Sequence, residues 1–308
     1  MSSKTTPTVF VVTATGTQGS ALCRQLHQLG WQVRATVRNP DSRPAQALAH
    51  LGVALNVGDW DDEAALAAGI AGSDMLYLNL VLNYRDLEDE RTWALRILRT
   101  AKAAGVQHVV YTSVISADAP ERRTLLPADH IFAKALSYKN IIEGLVQRGG
   151  FKHWTILRPG FFMSNLLDPK VRMYYEIFER NTWLTAMTPD TKLGLVDPED
   201  VAKFAVAAFQ DPKRFDKQGI ELVGERLTAE QIMEVLSGAV GRKMKAQFYT
   251  EEEIRTGIAT NSFIAVHLLH RDVENFVNVE KVKSWGIRMG TFREFLEREK
   301  TAVSETYD

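Results

Sequence analysis

The strongest constraint on the fold is a regular alternation of short apolar runs with helix-like segments over the first 160 residues. The runs, rich in Val, Leu, Ile, Tyr or Thr, occupy residues 9–13, 32–37, 53–57, 74–81, 108–113 and 153–158. Between them, apolar residues recur three or four positions apart, as Leu22, Leu26 and Leu29 do, which places them on one face of a helix. This order predicts an α/β fold with a doubly wound parallel sheet. In such a sheet, ligands bind beyond the carboxyl ends of the strands.

Beyond residue 160 the pattern becomes mainly helical. The segments of helical period cover residues 199–210, 228–240, 250–258 and 292–300, and two strand-like pieces cover 193–196 and 220–224. The last helix is highly charged, so we predict that it forms a solvated face. No repeat or long linker separates the two parts. We therefore predict a Rossmann domain over residues 1–160 and a smaller, mainly helical domain over residues 161–308. The second domain should share short strands with the first and pack on it.

Composition excludes several classes of protein. The chain has 308 residues and a net charge of −1, so no overall field attracts nucleic acid or an anionic membrane. Its single cysteine, Cys23, excludes an internal disulfide and is expected to be a small buried residue. The sequence has neither the order of a signal peptide nor an apolar run long enough to span a membrane. These features predict a cytoplasmic protein without direct nucleic-acid or membrane binding, and a nuclear location stays open if the protein is regulatory.

A glycine-containing turn follows the first strand. In VVTATGTQGS, residues 11–20, Gly16 and Gly19 stand at the second and third positions of a dinucleotide-binding fingerprint, and Thr13 stands at the first. The N–H groups at the start of the following helix suit a pyrophosphate. Gly16 would let backbone approach the phosphates, and Gly19 would let the helix pack closely on the sheet. We therefore predict dinucleotide binding here, with additional side-chain hydrogen bonds from Thr15, Thr17 and Gln18.

The end of the second strand favours NADP(H) over NAD(H). Proteins that bind NAD place an acidic residue there, about 20 residues beyond the loop. This chain instead has Arg38, 19 residues after Gly19. A guanidinium matches a 2′-phosphate in charge and geometry. Arg34 and Arg43 lie nearby, and a solvated surface position accounts for them.

Two further expectations concern the third strand and Thr13. Asp59 ends the third strand, where an adenine ring would rest, whereas Asp61 and Asp62 are expected to cap the next helix. A β-branched residue in the left-handed region costs about 1–2 kcal/mol. We therefore expect the first strand to continue through Thr13 and the turn to use ordinary backbone angles. On this view, Thr13→Gly leaves the affinity for NADP equal or better.

Several stretches together resemble one family. They are VTATGTQGS, ATVRNP, VGDWDD, AAGVQHVVYTS, KNIIEGLV and FKHWTILRPGFFMSNLL, which lie in this order between about residue 8 and about residue 245. They resemble the NmrA-like family, atypical members of the short-chain dehydrogenase/reductase superfamily, although the family pattern has Gly where Thr13 stands. The resemblance implies a Rossmann domain that binds NADP(H) or NAD(H), followed by a small C-terminal domain. It implies either a reductase or a dinucleotide sensor that regulates a partner such as a transcription factor.

The resemblance also directs attention to the segment HIFAKALSYKNIIEGL, residues 130–145. Reductases of the superfamily use a Tyr-x-x-x-Lys pair on one helix face. Lys139 stands where NmrA-like proteins typically have a lysine, but the residue four positions before it is Ala135. Tyr138 is adjacent to Lys139 and therefore points about 100° away on a helix.

Three roles remain open for this segment. Lys139 could hold the nicotinamide ribose with no proton donor beside it, which would give a sensor. Lys139 could itself be the acid/base, as in the related isoflavone-reductase-like branch. Alternatively, His130 could be the acid, because its ordinary pKa suits proton transfer near neutrality, although a structural or surface role also accounts for it.

The remaining candidates lie at the ends of the later strands. Besides Lys139, we predict catalytic roles for Ser113, which ends the fifth strand, and for Tyr84, which follows the fourth. The remaining predicted cofactor-binding residues are Asn79, Pro159, Gly160 and Phe162. Predicted substrate-pocket residues are Asn83, Phe161, Met163 and Asn165, and core packing accounts equally well for the apolar ones. His267 and His270 do not form a metal-binding pattern, and we predict no metal.

These residues predict an NADPH-dependent reductase of a small organic carbonyl or conjugated alkene. The alternative is a non-catalytic NAD(P)(H) sensor that regulates a protein partner. We expect a small-molecule substrate, and either a monomer or a homodimer.

Overall fold

In the computed structural model, which describes residues 6–83, 85–273 and 277–308, the strands predicted over the first 160 residues all form. They are β1 (Thr8–Val11), β2 (Gln32–Val37), β3 (Ala54–Val57), β4 (Met75–Leu78), β5 (His108–Thr112) and β6 (His153–Pro159). The helices that connect them are α1 (Thr17–Gln28), α2 (Arg43–His50), α3 (Glu63–Ile70), α4 (Glu88–Ala103) and α5 (Ile131–Arg148). This confirms the predicted α/β fold.

The sheet is doubly wound about β1. Its strand order is β10-β6-β5-β4-β1-β2-β3, and β1 pairs in parallel with both β2 and β4. The order reverses between β1 and β4, and this switch point is where open α/β sheets bind ligands. The seventh strand, β10 (Gln218–Leu222), borders β6 and comes from beyond residue 160.

Packing follows most of the helical periodicity. Leu22 and Leu26 are fully buried under α1, but Leu29 lies beyond the end of that helix and is 43% exposed. The core of the sheet is built from residues such as Phe10 and Tyr111, both fully buried. Cys23 is buried as expected, and burial raises the pKa of its thiol to about 12.

The chain folds into two compact units that interleave in sequence. The first contains residues 1–118, 135–158 and 201–220, and the second contains residues 119–134, 159–200 and 221–308. The predicted boundary at residue 160 lies close to one crossing point. The chain also crosses between the units at several other places.

The elements after β6 include one short strand that matches the strand-like piece predicted over residues 193–196, and four short strands that periodicity did not predict. The strands are β7 (Phe161–Phe162), β8 (Thr182–Thr185), β9 (Lys192–Val196), β11 (Glu225–Thr228) and β12 (Lys245–Phe248), arranged as β11-β9-β7 and β12-β8. The helices are α6 (Tyr175–Arg180), α7 (Pro198–Gln210), α8 (Pro212–Phe215), α9 (Ala229–Val240), α10 (Glu251–Gly257), α11 (Ser262–Val273), α12 (Val279–Lys283), α13 (Phe292–Arg298) and α14 (Lys300–Tyr307). The four unpredicted strands have only two to four residues, which is too few alternations to be recognised from sequence.

The charged C-terminal helix is not simply a solvated face. Phe292, Phe295 and Leu296 of α13 are buried in the core of the second unit, and Val303 of α14 joins them. The charged residues occupy the opposite side of an amphipathic helix. Thr291 and Glu294 form a capping box that starts α13.

None of the helices within the described residues is both long and apolar enough to cross a membrane.

His267 is buried in the second unit. Its Nδ1 accepts a hydrogen bond from the backbone N–H of Ala186 at 3.1 Å, so it acts in the neutral form. Burial lowers the pKa of His267 to about 3, and the nearby His270 adds to that shift. The imidazole therefore stabilises the fold only while it stays uncharged.

We expect this histidine to make stability fall in mild acid. Its folded-state pKa lies below the ordinary value of about 6.5, so its contribution is complete above pH 6.5 and is lost as the pH falls towards 3. Asn at this position keeps an acceptor for the Ala186 N–H but cannot titrate. Between pH 7 and pH 5, the free energy of unfolding of the native protein should fall by about 2 kcal/mol more than that of His267→Asn, measured by urea denaturation. An equal pH dependence in the two proteins would contradict this assignment.

Candidate cofactor site

The turn after β1 is held in a left-handed conformation at Thr13. The strand ends at Val11, and Thr13 has φ +56°, so the expectation of ordinary angles there was wrong. The reason is hydrogen bonding. The Thr13 hydroxyl donates to the carbonyl of Asn79 at 2.6 Å, and the Thr13 carbonyl accepts from the Gly16 N–H at 2.9 Å. These bonds offset the cost of placing a β-branched residue in that region.

Gly19 brings α1 directly against this turn. A Cβ at position 19 would lie 2.3 Å from the Thr13 carbonyl oxygen and 2.7 Å from the Ala14 Cα, and both are backbone atoms that cannot move aside. The close helix–strand packing predicted for Gly19 is therefore present. Gly16 forms the N-cap of α1, and no side chain within the described residues caps this helix. The first-turn N–H groups and the helix dipole remain available to an anion.

The polar side chains around the turn differ in whether they are free to form a hydrogen bond to a ligand. Thr15 and Thr17 are exposed. Gln18 points towards the sheet, where its side-chain oxygen accepts from the Tyr77 hydroxyl at 3.3 Å. Tyr77 in turn accepts from the Thr112 hydroxyl at 2.7 Å. Only the amide nitrogen of Gln18 is thus left for the hydrogen bond that the sequence predicted.

A cleft of about 460 Å³ extends from this turn along the ends of β2, β3 and β4. Its walls are formed by Thr13, Thr15, Thr36, Val37, Arg38, Gly58, Asp59, Trp60, Asp61, Val81, Leu82, Asn83, Arg85 and Trp93. The predicted residues Arg38 and Asp59 are therefore in one cavity with the turn. A cavity of this size and position can accept the adenosine half of a dinucleotide.

Arg38 and Arg85 are exposed arginines of this cleft, and Arg38 is the one that directly follows β2. The other two arginines near β2 have different surroundings. Arg34 donates to the carbonyls of Gly69 at 2.9 Å and Ala68 at 3.2 Å, which satisfies the C-terminal end of α3. It is therefore not the solvated residue that we expected. Arg43 is exposed at the start of α2 and is not among the residues that line the cleft.

The sequence did not single out two tryptophans in the wall. The rings of Trp60 and Trp93 meet edge to face with centroids 5.4 Å apart. Trp93 Nε1 donates to Asp61 Oδ1 at 3.1 Å, and Arg96 binds the same oxygen at 2.6 Å. Trp60 directly follows the strand-end Asp59, and this was the available signal. Trp93 comes from α4, and nothing in its local sequence links it to the third strand.

The three aspartates that follow β3 have different hydrogen-bond partners. Asp62 caps α3 by accepting from the N–H groups of Ala64 and Ala65 at 3.0 and 2.9 Å, which confirms the prediction for that residue. Asp61 does not cap the helix, because Arg96 and Trp93 hold it. Asp59 turns its carboxylate to the N–H of Trp60 at 2.6 Å and stays in the cleft wall.

Lys139 reaches the end of β4. Its ammonium donates to the carbonyl of Leu80 at 3.3 Å and forms an ion pair with the carboxylate of Glu90. The Glu90 side chain has no exposed surface, and that of Lys139 is 15% exposed. Sequence reasoning missed Glu90, because it stands in the run EDER among charged residues that look like an ordinary solvated helix start.

Tyr138 engages a different partner, as its helical position predicted. Its hydroxyl donates to Glu88 at 2.5 Å, and Glu88 also pairs with Arg91. These groups lie near the surface. Tyr138 therefore does not replace the tyrosine that is missing at position 135.

The other predicted residues at the ends of β4 and β5 are buried or already form hydrogen bonds within the protein. Ser113 is buried, and its N–H donates to the carbonyl of Leu157 at 2.8 Å. Asn79 is buried, and its carbonyl holds Thr13. Asn83 uses its side chain internally, donating to Asp89 at 2.7 Å and accepting from the Arg85 N–H at 3.0 Å. Tyr84 lies outside the described residues.

The segment after β6 belongs mainly to the core of the second unit. The N–H of Gly160 donates to Leu222, and a Cβ on Gly160 would lie 2.4 Å from the carbonyl oxygen of Gly194. Phe161 is 7% exposed and Met163 has no exposed surface, so core packing, not a pocket wall, accounts for them. Pro159 is the last residue of β6, and Phe162 and Asn165 are half-buried. The ligand contacts expected of Pro159, Gly160, Phe162 and Asn165 stay predictions.

His130 contacts a neighbouring aromatic residue. The ring of His130 stacks on Phe132 with centroids 5.6 Å apart, and its Nδ1 accepts from the Phe132 N–H at 3.3 Å.

The described residues contain no group of three or more His, Cys, Asp or Glu side chains that could hold a metal ion.

Comparison with known proteins places the chain in a family. The sequence model of the NmrA-like family matches residues 5–296. The chain belongs to the NmrA-like family. An NAD(P)H azoreductase of Xenophilus azovorans is 28% identical over 248 residues, which cover 80% of this chain and 79% of that protein.

Solved structures share the fold. A complex of the NADPH-dependent quinone oxidoreductase of Escherichia coli with NADPH has a TM-score of 0.72 at 23% identity, covering 94% of this chain and 99% of that one. The negative transcriptional regulator NmrA has been solved with NAD and with NADP. Each of those complexes has a TM-score of 0.68 at 20% identity and covers 98% of this chain and 95% of the regulator. NmrA-like folds therefore include both enzymes and a regulator.

Thr13 provides a test of the turn. Thr13→Gly loses the bond to Asn79 but gains freedom at positive φ, so its free energy of unfolding should stay within about 1 kcal/mol of the native value. Thr13→Ala loses the bond and keeps the unfavourable φ, so it should lose about 2 kcal/mol. Urea denaturation measures both, and calorimetry should show an unchanged affinity for NADP in Thr13→Gly. A glycine variant as unstable as the alanine variant would refute this explanation of the turn.

Proposed function

We propose that this chain is an NADPH-dependent reductase of a small organic carbonyl or conjugated alkene. The observation that carries the proposal is a pair of adjacent carbonyls at the end of β4. The carbonyl of Asn79 accepts from Thr13 in the cofactor turn, and that of Leu80 accepts from the ammonium of Lys139. A dinucleotide-binding turn and a proton-donating group therefore meet at the ligand-binding edge of one sheet.

The residues around the cleft fit the parts of NADPH. The uncapped start of α1, with Gly16 at its N-cap, suits the pyrophosphate. Arg38 suits the 2′-phosphate, and the apolar faces of Trp60 and Trp93 suit the adenine. When bound, NADPH supplies a hydride.

Lys139 supplies the polar chemistry on the protein side. An ammonium can hold ribose hydroxyls, polarise a carbonyl oxygen or give it a proton as negative charge develops there. With Ala135 in place of a tyrosine, the reductase proposal assigns the proton transfer to Lys139 itself. Ser113, buried after the end of β5, is proposed to help hold the substrate oxygen.

The cofactor preference rests on Arg38. Replacing it with Ala removes the charge offered to the 2′-phosphate, so we expect the affinity for NADP to fall by about 10- to 100-fold. The affinity for NAD, which lacks that phosphate, should stay unchanged. Isothermal titration calorimetry with both dinucleotides measures the difference.

Arg43→Ala is the matched control for this experiment. Arg43 is also an exposed arginine close to β2, but it does not line the cleft. We expect this variant to bind NADP normally. If native protein binds NAD as tightly as NADP, and Arg38→Ala changes neither affinity, the assignment of the 2′-phosphate site is wrong.

The reductase proposal also predicts that turnover depends on Lys139. Lys139→Ala should lose turnover by orders of magnitude. It also leaves the buried Glu90 carboxylate without its cation, at a cost of about 3–5 kcal/mol, so a loss of activity in this variant could come from a loss of stability. The test therefore uses Lys139→Met combined with Glu90→Gln. This double variant should fold and lose kcat by at least about 100-fold.

Tyr138→Phe controls for disturbance of the same helix. It removes one hydrogen bond to Glu88 and touches neither Lys139 nor the cleft. We expect its kcat to equal that of the native protein. A double variant with native kcat would remove Lys139 from the mechanism.

The alternative function is an NAD(P)(H) sensor that regulates a protein partner. It is favoured by the missing tyrosine at position 135 and by the likeness of the fold to the regulator NmrA. A sensor would bind the dinucleotide, reduce none of a panel of aldehydes, ketones and enones, and change its affinity for a partner when the dinucleotide binds. Steady oxidation of NADPH with one of these substrates excludes a purely sensory protein.

A further inference from the structure

Glu90 is unusual because a charged side chain occupies a fully buried helix position. It lies on α4 four residues before Ala94 and eight before Leu98, on the face that packs against the sheet. Desolvating a carboxylate without exposed surface is costly, and a well-packed apolar pair in place of Glu90 and Lys139 would serve stability as well or better. The position therefore calls for an explanation other than stability.

The surroundings assign this carboxylate to Lys139. The titratable groups that contact the ammonium are Glu90 on α4 and Tyr111 on β5. Glu143 stands four residues after Lys139 on α5. Glu143 is held by Arg158 through two hydrogen bonds of 2.9 and 2.6 Å. The Tyr111 ring centroid lies 6.0 Å from the ammonium, and burial raises the pKa of its hydroxyl well above the usual value. Glu90 is thus the group that balances the charge of Lys139.

The two contacts of Lys139 occupy two of the three N–H donors of its ammonium. An ammonium has three N–H donors on a flexible four-carbon stem. One contact goes to Glu90, which is fully buried, and one to the carbonyl of Leu80, a buried residue two positions after β4. No partner of the third donor is seen among the described residues. Fixing two donors sets the direction of the third.

We propose that Glu90 is the positioning residue of Lys139: with the Leu80 carbonyl, it aims the third N–H of the ammonium at the nicotinamide ribose or the substrate oxygen. The proposal rests on the proposed reductase function. Glu90 touches neither ligand and acts through the lysine. Glu88, two residues earlier on α4, provides the contrast, because its pairing with Arg91 and Tyr138 lies near the surface.

The test is a double-mutant cycle of Glu90→Gln and Lys139→Met, with Glu88→Gln as the matched control. Glu90→Gln keeps the shape of the side chain and removes its charge. We expect it to lower kcat by about 10- to 100-fold with little change in KM for the substrate. Glu88→Gln should change neither quantity.

The second arm of the cycle separates positioning from a general structural role. In the Lys139→Met background, Glu90→Gln should cause no further loss of kcat, and it should raise the melting temperature by removing an uncompensated buried charge. A native kcat in Glu90→Gln would overturn the proposal. An equal loss of kcat in both backgrounds would also overturn it. If Glu90→Gln does not fold, Glu90→Asp, which keeps the charge but withdraws it from the lysine, should fold and show the kcat loss.

Binding of NADPH distinguishes the failure of this proposal from the failure of the reductase function. If the native protein binds NADPH but turns over no substrate, the reductase function fails. The role of Glu90 is then read from calorimetry. Glu90→Gln should weaken NADPH about tenfold when Lys139 is present and leave it unchanged in the Lys139→Met background. Equal NADPH affinities with and without the Glu90 carboxylate, when Lys139 is present, would overturn the positioning role as well.

Discussion

The close approach of α1 to the end of β1 is the constraint on which the rest of the site depends. A helix can start over a strand end in this way only if residue 19 has no side chain, because the Thr13 carbonyl and the Ala14 Cα occupy the space where a Cβ would lie. That approach fixes the direction of the first-turn N–H groups, which no side chain within the described residues caps. The anion site therefore follows from backbone packing.

The end of β4 joins this backbone site to the chemistry of Lys139. The carbonyl of Asn79 accepts a hydrogen bond from Thr13 in the turn, and the next carbonyl, that of Leu80, accepts one from the Lys139 ammonium. The carboxylate of Glu90 balances the charge of that ammonium. The arrangement differs from the superfamily pair of tyrosine and lysine, because the second partner here is a buried carboxylate.

The sequence predicted the parts of the fold and site that depend on local patterns. Six strands, the packing role of Gly19 and the cap at Asp62 follow from periodicity and turn chemistry. The left-handed angle of Thr13 did not follow, because it depends on a carbonyl 66 residues away. The role of Glu90 and the Trp60–Trp93 contact likewise depend on packing between distant segments. Interleaving of the two units is equally invisible to local patterns.

The most direct test of the central claim is transfer of deuterium from NADPH that carries deuterium at both C4 positions to a panel of aldehydes, ketones and enones, followed by mass spectrometry of the products. A reductase places the label on carbon, at the carbinol carbon of a reduced carbonyl or at the β-carbon of a reduced enone. The proposed function predicts one non-exchangeable deuterium per product molecule with at least one member of the panel. NADPH that binds in the cleft and transfers no label to any member would contradict it and favour the sensor.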